Sequence, residues 1–110
     1  MTNSSTIDVP DDPIAALRKR SRILDRLLDE EGRVARWPKR RAQKLIVLEH
    51  LAQHFEPGVR LAEAEVNELL NSLHAFSDAA LLRRWLVEEG FVSRTSSGSA
   101  YWLESMEAPS

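Results

Sequence analysis

Five cationic residues crowd the start of one predicted helix: Arg36, Lys39, Arg40, Arg41 and Lys44. The helix macrodipole disfavours cations near a helix N-terminus by roughly 0.3–1 kcal/mol each, so stability alone would favour Asp or Glu in that turn. The backbone N–H groups of the first turn have no partner inside the helix and can bind phosphate oxygens. We therefore interpret this cluster as a phosphate-binding site. The alternative is a solvated basic face that pairs with acidic residues elsewhere.

Three further arginines in the C-terminal third have the chemistry for contacts with nucleic acid. Arg83 and Arg84 lie midway along a predicted helix and can reach phosphates or guanine edges. Arg94 lies in a predicted hairpin, where it suits a contact with the DNA backbone or the minor groove. The alternative is a polar residue that only contacts solvent. Base reading is opposed by Asp78 in the first turn, and Arg84 can form a local ion pair with Glu88. One of the two helical arginines is therefore expected to brace the fold.

The histidines and polar residues do not predict catalysis. His50 and His54 are four residues apart on one predicted helix, a spacing that can hold a metal ion, and His74 could join them. The chain contains no cysteine and no HExxH motif, so we expect no metal site and no cofactor. It also lacks a Ser-His-Asp order, paired inward carboxylates and a glycine-rich phosphate loop, so we do not expect an enzyme. Asn67 is expected to act as a hydrogen-bonding brace.

The helix that contains Arg83 opens the stretch around which the chain is arranged, residues 76–103. Its apolar residues recur at helical spacing: Leu81, Leu82, Trp85 and Leu86. Ser77 or Asp78 can cap its start. Gly90 follows the last periodic residue, where helices end in a left-handed turn that glycine adopts at little cost.

Two β-like runs follow Gly90, at residues 91–95 and 100–103. The Ser-Ser-Gly-Ser segment between them supplies a turn, in which Gly98 can take a positive φ angle. A helix that runs directly into a tight hairpin is typical of a winged helix, where the recognition helix precedes the wing. We therefore predict a mainly α winged-helix domain over residues 33–104, with a three-helix core and a C-terminal β-hairpin wing.

Two more core helices are predicted upstream, over residues 39–55 and 63–73. Their buried sides are expected to consist of Leu45, Leu48, Leu51, Ala52, Phe55, Val66, Leu69, Leu70 and Leu73. A brief strand is expected near residues 59–61. Glu65 occupies the third position of a capping box, but Ala62 has no side-chain oxygen, which weakens that helix start by roughly 0.5–2 kcal/mol.

An additional amphipathic helix is predicted over residues 12–31, with Asp12 as its cap and Pro13 at its first position. Its apolar residues fit an a/d pattern with one polar break: Ile14, Leu17, Ser21, Leu24 and Leu28. Its other face carries Arg18, Lys19, Arg20, Arg22 and Arg26. The helix either docks on the core or forms a homodimer. A short extended segment over residues 33–37 follows, because the residue before Pro38 is biased away from helix.

The charge distribution is uneven although the net charge is only −2. Residues 1–44 contain eleven Lys or Arg and seven Asp or Glu, whereas residues 45–110 contain four and ten. This split favours one basic face. The overall acidity argues against strong non-specific binding to DNA, which depends on neutralising phosphates.

Length and hydropathy limit the class of protein. The 110 residues suffice for one domain with a single core. No apolar stretch is long enough to span a bilayer, and no secretory signal is visible at the N-terminus. We expect a cytoplasmic protein without membrane contact. Residues 1–11 and 105–110 are predicted to be disordered tails.

An ordered series of motifs runs from Val34 to Leu103. It consists of Pro38-Lys39, Phe55-Glu56-Pro57-Gly58, Glu65-Val66-Asn67, Leu82-Arg83-Arg84, Gly90, Arg94, Gly98 and Tyr101-Trp102. In these residues the chain resembles the bacterial family of domain of unknown function 2087. The resemblance implies a winged helix and, because members also occur behind helix-turn-helix regulator domains, a role in transcriptional control. It implies no catalytic residues. The chain departs from the family at Leu61, where an aromatic is common, and at Ala62, where a hydroxyl residue is common.

Together with what the resemblance implies, these patterns predict a small bacterial DNA-binding transcriptional regulator. It would contact phosphates through the basic helix start, the recognition helix and the wing. The alternative is a winged-helix protein-interaction adaptor without DNA binding, which the acidic balance and Asp78 favour. A histidine-based metal sensor is a third hypothesis. A shared face for Lys39, Arg83 and Arg94 would favour DNA, whereas flanking acidic residues would favour the adaptor.

Overall fold

A computed structural model describes residues 12–104, which form four α-helices and one antiparallel hairpin. The elements are α1 (Pro13–Leu27), α2 (Arg41–Ala52), α3 (Glu63–Asn71), α4 (Ala79–Glu88), β1 (Ser93–Arg94) and β2 (Tyr101–Trp102). The mainly α architecture predicted from the sequence is confirmed. Both predicted tails lie outside the described residues. None of the helices within residues 12–104 has the length and apolar character needed to cross a membrane.

The core lies between α2, α3 and α4. Its fully buried side chains are Val34, Val47, Leu48, Leu51, Val66, Leu70, Leu82 and Leu86. Burial of each such side chain contributes roughly 1.5–3 kcal/mol before the entropic cost of ordering it. The helical periodicity predicted six of these residues. It did not predict Val47 or Val34, and Val34 is buried from an extended segment.

Local capping sets the ends of the helices. Asp12 accepts hydrogen bonds from the first backbone N–H groups of α1, as the sequence predicts. Asp78 caps α4 by accepting from the Leu81 N–H at 3.2 Å. The start of α3 has only half of a capping box. Glu65 accepts a hydrogen bond from the Ala62 N–H at 2.8 Å, but the methyl group of Ala62 cannot accept one from the helix.

Extended segments between the helices join the hairpin into a small sheet. The hairpin pairs Ser93 with Trp102 and Arg94 with Tyr101. Leu61 then bridges Tyr101 from the other side through two backbone hydrogen bonds of 2.8 Å. The strand predicted near residues 59–61 is therefore a single bridge that ties the chain between α2 and α3 to the hairpin.

The junction between α4 and the hairpin depends on a left-handed residue. Gly90 has φ +84°, and a Cβ placed there would meet no atom of the described residues within 4 Å. The only penalty for a side chain at this position is therefore backbone strain. The helix-to-hairpin connection predicted from the sequence is confirmed.

Replacing Gly90 with valine is expected to lower the free energy of unfolding by about 1–2 kcal/mol, because a β-branched residue resists a positive φ. Asparagine tolerates this conformation better, so Gly90→Asn should lose less. Urea denaturation of both variants measures the difference. Equal stability of the valine variant and the parent would contradict a left-handed residue at this junction.

The N-terminal helix docks on the core through its second half. Leu27 is buried, Ile23 is half-buried against the core, and Arg20 forms an ion pair with Glu49 of α2. The first half projects outward, since Ile14 is 58% exposed and Leu17 is 56% exposed. Docking therefore accounts for part of the apolar stripe, and the homodimer stays a prediction.

Candidate functional site

The start of α2 carries three cations that the fold does not neutralise. Arg36, Lys39 and Arg40 are exposed, and none has a carboxylate within 4 Å among residues 12–104. They line a cleft of about 300 Å³ together with Trp37. The first turn of α2 has no acidic residue and no side-chain cap, so no carboxylate competes for its free N–H groups. We call these three residues the α2 cluster.

The other two predicted cations at this helix start are engaged within the fold. Arg41 donates two hydrogen bonds to the Glu89 carboxylate at 2.8 and 2.7 Å, which raises the pKa of the guanidinium above its usual value. The Lys44 ammonium lies 4.8 Å from the Trp85 ring centroid and 5.7 Å from that of Trp37. These contacts hold the start of α2 against the second half of α4.

A second group of arginines surrounds a cleft of about 290 Å³ between α4 and the hairpin. Its lining consists of Arg83, Arg84, Val87, Glu88, Arg94 and Tyr101. Arg84 is exposed, and the ion pair with Glu88 that their spacing predicts is not formed. Arg94 Nη1 lies 3.2 Å from the Thr95 carbonyl oxygen. We call this site the hairpin cleft.

Arg83 is the arginine that braces the fold. Its side chain is only 15% exposed, donates a hydrogen bond to Asn67 Oδ1, and lies 3.1 Å from a Glu63 carboxylate oxygen. Its guanidinium also lies 6.0 Å from the Tyr101 ring centroid. The predicted bracing role of half-buried Asn67 is confirmed. These contacts join α3 to α4, which leaves Arg83 with fewer free donors than Arg84.

Helix α4 lies between the α2 cluster and the hairpin cleft. Trp85 and Glu89 contact the start of α2, whereas Arg83 lines the cleft. Successive helical residues are rotated by roughly 100°, so Arg84 and Glu88 lie on the exposed stripe between these two sides. The two groups of free cations therefore flank the exposed face of α4, and one carboxylate, Glu88, lies on that face.

The profile of a bacterial family, described as an uncharacterized protein conserved in bacteria (DUF2087), matches residues 33–103. The chain belongs to the DUF2087 family. Neither a curated protein nor a solved structure matches the chain. The DUF2087 region includes α2, α3, α4 and the hairpin, so it contains both the α2 cluster and the hairpin cleft, and α1 precedes it.

The three histidines of this DUF2087 domain do not come together. The His50 and His54 rings pack edge-on, with their centroids 5.1 Å apart. Burial lowers the pKa of His50, and the charge of the neighbouring His54 lowers it further. His74 is buried elsewhere, with Nδ1 bonded to the Leu70 carbonyl and Nε2 accepting from the Asp78 N–H. Residues 12–104 contain no group of three side chains placed to hold a metal ion. The proposal that His74 joins the other two is wrong.

Sequence reasoning missed the structural roles of three residues that shape this surface of the DUF2087 domain. Glu89 neutralises Arg41, His74 links α3 to the start of α4, and Tyr101 lies at the base of the hairpin cleft. Glu89 carries no local signal, because its partner is 48 residues away in the chain. Tyr101 lies in the second β-like run, at residues 100–103, where no alternation of apolar and polar residues marks its buried side.

Proposed function

We propose that this DUF2087 domain is a winged-helix nucleic-acid-binding protein, acting as a small DNA-binding transcriptional regulator in the bacterial cytoplasm. The element order supports a winged helix: α2, the bridge at Leu61, α3, α4 and a hairpin that follows α4 directly. In this proposal α4 is the recognition helix and the hairpin is the wing. Exposed Ile14 and Leu17 support a homodimer through α1 as part of the same proposal.

The observation that carries the proposal is the α2 cluster. Three exposed cations gather at a helix start where the macrodipole disfavours them, and none of the three has a carboxylate within 4 Å among the described residues. A phosphate bound there would be attracted by the three cations and would accept hydrogen bonds from the free backbone N–H groups of the helix. Arg84 and Arg94 add cations on the other side of α4.

The contacts are expected to be with the backbone rather than with bases. The first turn of α4 presents Asp78 and Ala80, which offer little to a base edge, and Asp78 is occupied as the cap. Arg83 is held by Asn67 and Glu63. Phosphate contacts position a protein on a duplex without reading its sequence, so this surface favours affinity over specificity.

A double charge reversal, Lys39→Glu with Arg40→Glu, is expected to weaken binding to all duplexes alike. Each lost phosphate contact should lower the slope of log K against log salt by about 0.9. Fluorescence anisotropy with random-sequence duplexes at several salt concentrations measures both effects. The matched control is Lys19→Glu with Arg26→Glu, which changes the net charge equally on the exposed surface of α1, away from Ile14 and Leu17.

Two outcomes of this experiment would contradict the proposal. If the parent protein binds no duplex at low salt, the nucleic-acid function is wrong. If both double variants weaken binding equally, the effect comes from net charge and the α2 cluster is not the contact surface.

A specific observation favours the adaptor as second candidate. An apolar groove of about 380 Å³ runs along α3 beside the end of α2. Its base contains Phe55, Val59, Leu61 and Leu69, and its rim contains Glu56, Glu65 and Glu68. Val59 is 41% exposed. An apolar floor with an acidic rim suits a basic amphipathic segment of a partner protein. Absence of duplex binding in the experiment above would favour this function.

A further inference from the structure

The hairpin cleft contains a buried tyrosine whose hydroxyl group has no hydrogen-bond partner in the part of the chain that the structure describes. Tyr101 is 5% exposed, and its hydroxyl makes no hydrogen bond with any of residues 12–104. A fully enclosed hydroxyl in that state would cost several kcal/mol. Among the described residues, the one fully enclosed side-chain polar atom without a hydrogen-bond partner is His50 Nε2. The Tyr101 hydroxyl is therefore not fully enclosed, and it contacts solvent through the cleft that it lines.

The hydroxyl converges with an arginine at the turn of the hairpin. A Cβ built on Gly98 would lie 3.6 Å from the Tyr101 hydroxyl oxygen and 3.7 Å from Arg94 Nη1. Gly98 has φ +77° and no side chain, so this approach remains open. Two donors of different chemistry, a phenol and a guanidinium, thus face one small space.

The charge of the cleft favours an anion. Arg94 bonds only to backbone carbonyls, and Arg84 has no carboxylate within 4 Å among the described residues. Arg83 is offset by Glu63, which leaves Glu88 as the one carboxylate among the described lining residues, against two guanidinium groups, those of Arg84 and Arg94, that no carboxylate of residues 12–104 neutralises. A ligand with several acceptor oxygens would satisfy the hydroxyl and these guanidinium groups together.

We propose that the hairpin cleft binds a phosphate group. The Tyr101 hydroxyl and the Arg94 guanidinium donate hydrogen bonds to its oxygens, and Arg84 adds positive charge. A volume of about 290 Å³ fits a single phosphate or a small phosphate ester. The phosphate is either a free anion or one in a nucleic-acid backbone. Only in the second case does this inference rest on the proposed function.

The test is a titration of the whole chain with inorganic phosphate at constant ionic strength, followed by amide chemical shifts and calorimetry. We expect saturable binding that moves the backbone amides of Gly98 and Arg94. Tyr101→Phe and Arg94→Gln should each weaken it by roughly tenfold, as loss of a charge-assisted hydrogen bond does. Arg22→Gln on α1 is the control and should bind like the parent.

Tyr101→Phe separates a binding role from a structural one. The phenylalanine ring keeps the core filled, and the lost hydroxyl has no partner within residues 12–104, so the thermal midpoint should stay unchanged. Unmoved amides at Gly98 and Arg94, or parent-like phosphate affinity in Tyr101→Phe, would overturn the proposal.

A second titration with a random duplex identifies the source of the phosphate. Competition between duplex and inorganic phosphate, with both weakened in Tyr101→Phe, supports a backbone phosphate in the cleft. Binding of inorganic phosphate by a protein that binds no duplex supports a free phosphate ligand. In that case the nucleic-acid function fails while the cleft proposal stands.

Discussion

Replacing His74 with alanine is expected to lower the free energy of unfolding by about 3 kcal/mol. The ring is 3% exposed and packs edge-on against Phe76, so its loss leaves a cavity. Nδ1 donates to the Leu70 carbonyl at 2.6 Å, and Nε2 accepts from the Asp78 N–H at 2.8 Å. In the variant the Asp78 N–H loses its partner, whereas the Leu70 carbonyl keeps its hydrogen bond from the Leu73 N–H at 2.9 Å. Urea denaturation measures the change.

His54→Ala is the matched control for this substitution. His54 is exposed, and the one hydrogen bond of its side chain within residues 12–104 is to the His50 carbonyl in the preceding turn, so loss of the ring should cost less than about 0.5 kcal/mol. If the His74 variant were as stable as this control, the ring would not link α3 to α4. The link bears on the proposed function because it holds Asp78, the capping residue of α4, and α4 is the proposed recognition helix.

Replacing Arg83 with alanine is expected to lower the free energy of unfolding by about 2 kcal/mol, and Asn67→Ala by about 1 kcal/mol. Both changes break the same contact between α3 and α4. The double variant should therefore lose less than the sum of the two, with a coupling energy of about 1 kcal/mol. Denaturation of the parent, both single variants and the double variant completes the cycle.

Arg84→Ala separates the bracing residue from its exposed neighbour on α4. Arg84 has no ion-pair partner among residues 12–104, so its loss should change stability by less than about 0.5 kcal/mol. It should instead weaken duplex binding. If Arg83 read a base, Arg83→Ala would change the preference among duplexes by about 1–3 kcal/mol and leave stability intact. A coupling energy near zero would also contradict the brace.

The sequence by itself determined the elements whose cause is local. Asp12 and Pro13 start α1, and Gly90 ends the α4 segment, because a cap and a left-handed glycine act within a few residues of the chain. The apolar spacing of residues 81–86 specified one buried face for the same reason. The hairpin followed from two β-like runs around Gly98.

The tertiary structure decided which polar groups are free and which are occupied. Arg41 and Arg40 are neighbours with the same chemistry, yet within residues 12–104 only Arg41 meets a carboxylate, that of Glu89, which lies 48 residues away in the chain. The sequence likewise could not distinguish Arg83 from Arg84. Side-chain partners depend on how helices pack, and the packing is set by the whole core rather than by local spacing. For that reason the cations were predictable as a group, whereas the α2 cluster and the hairpin cleft emerged only from the fold.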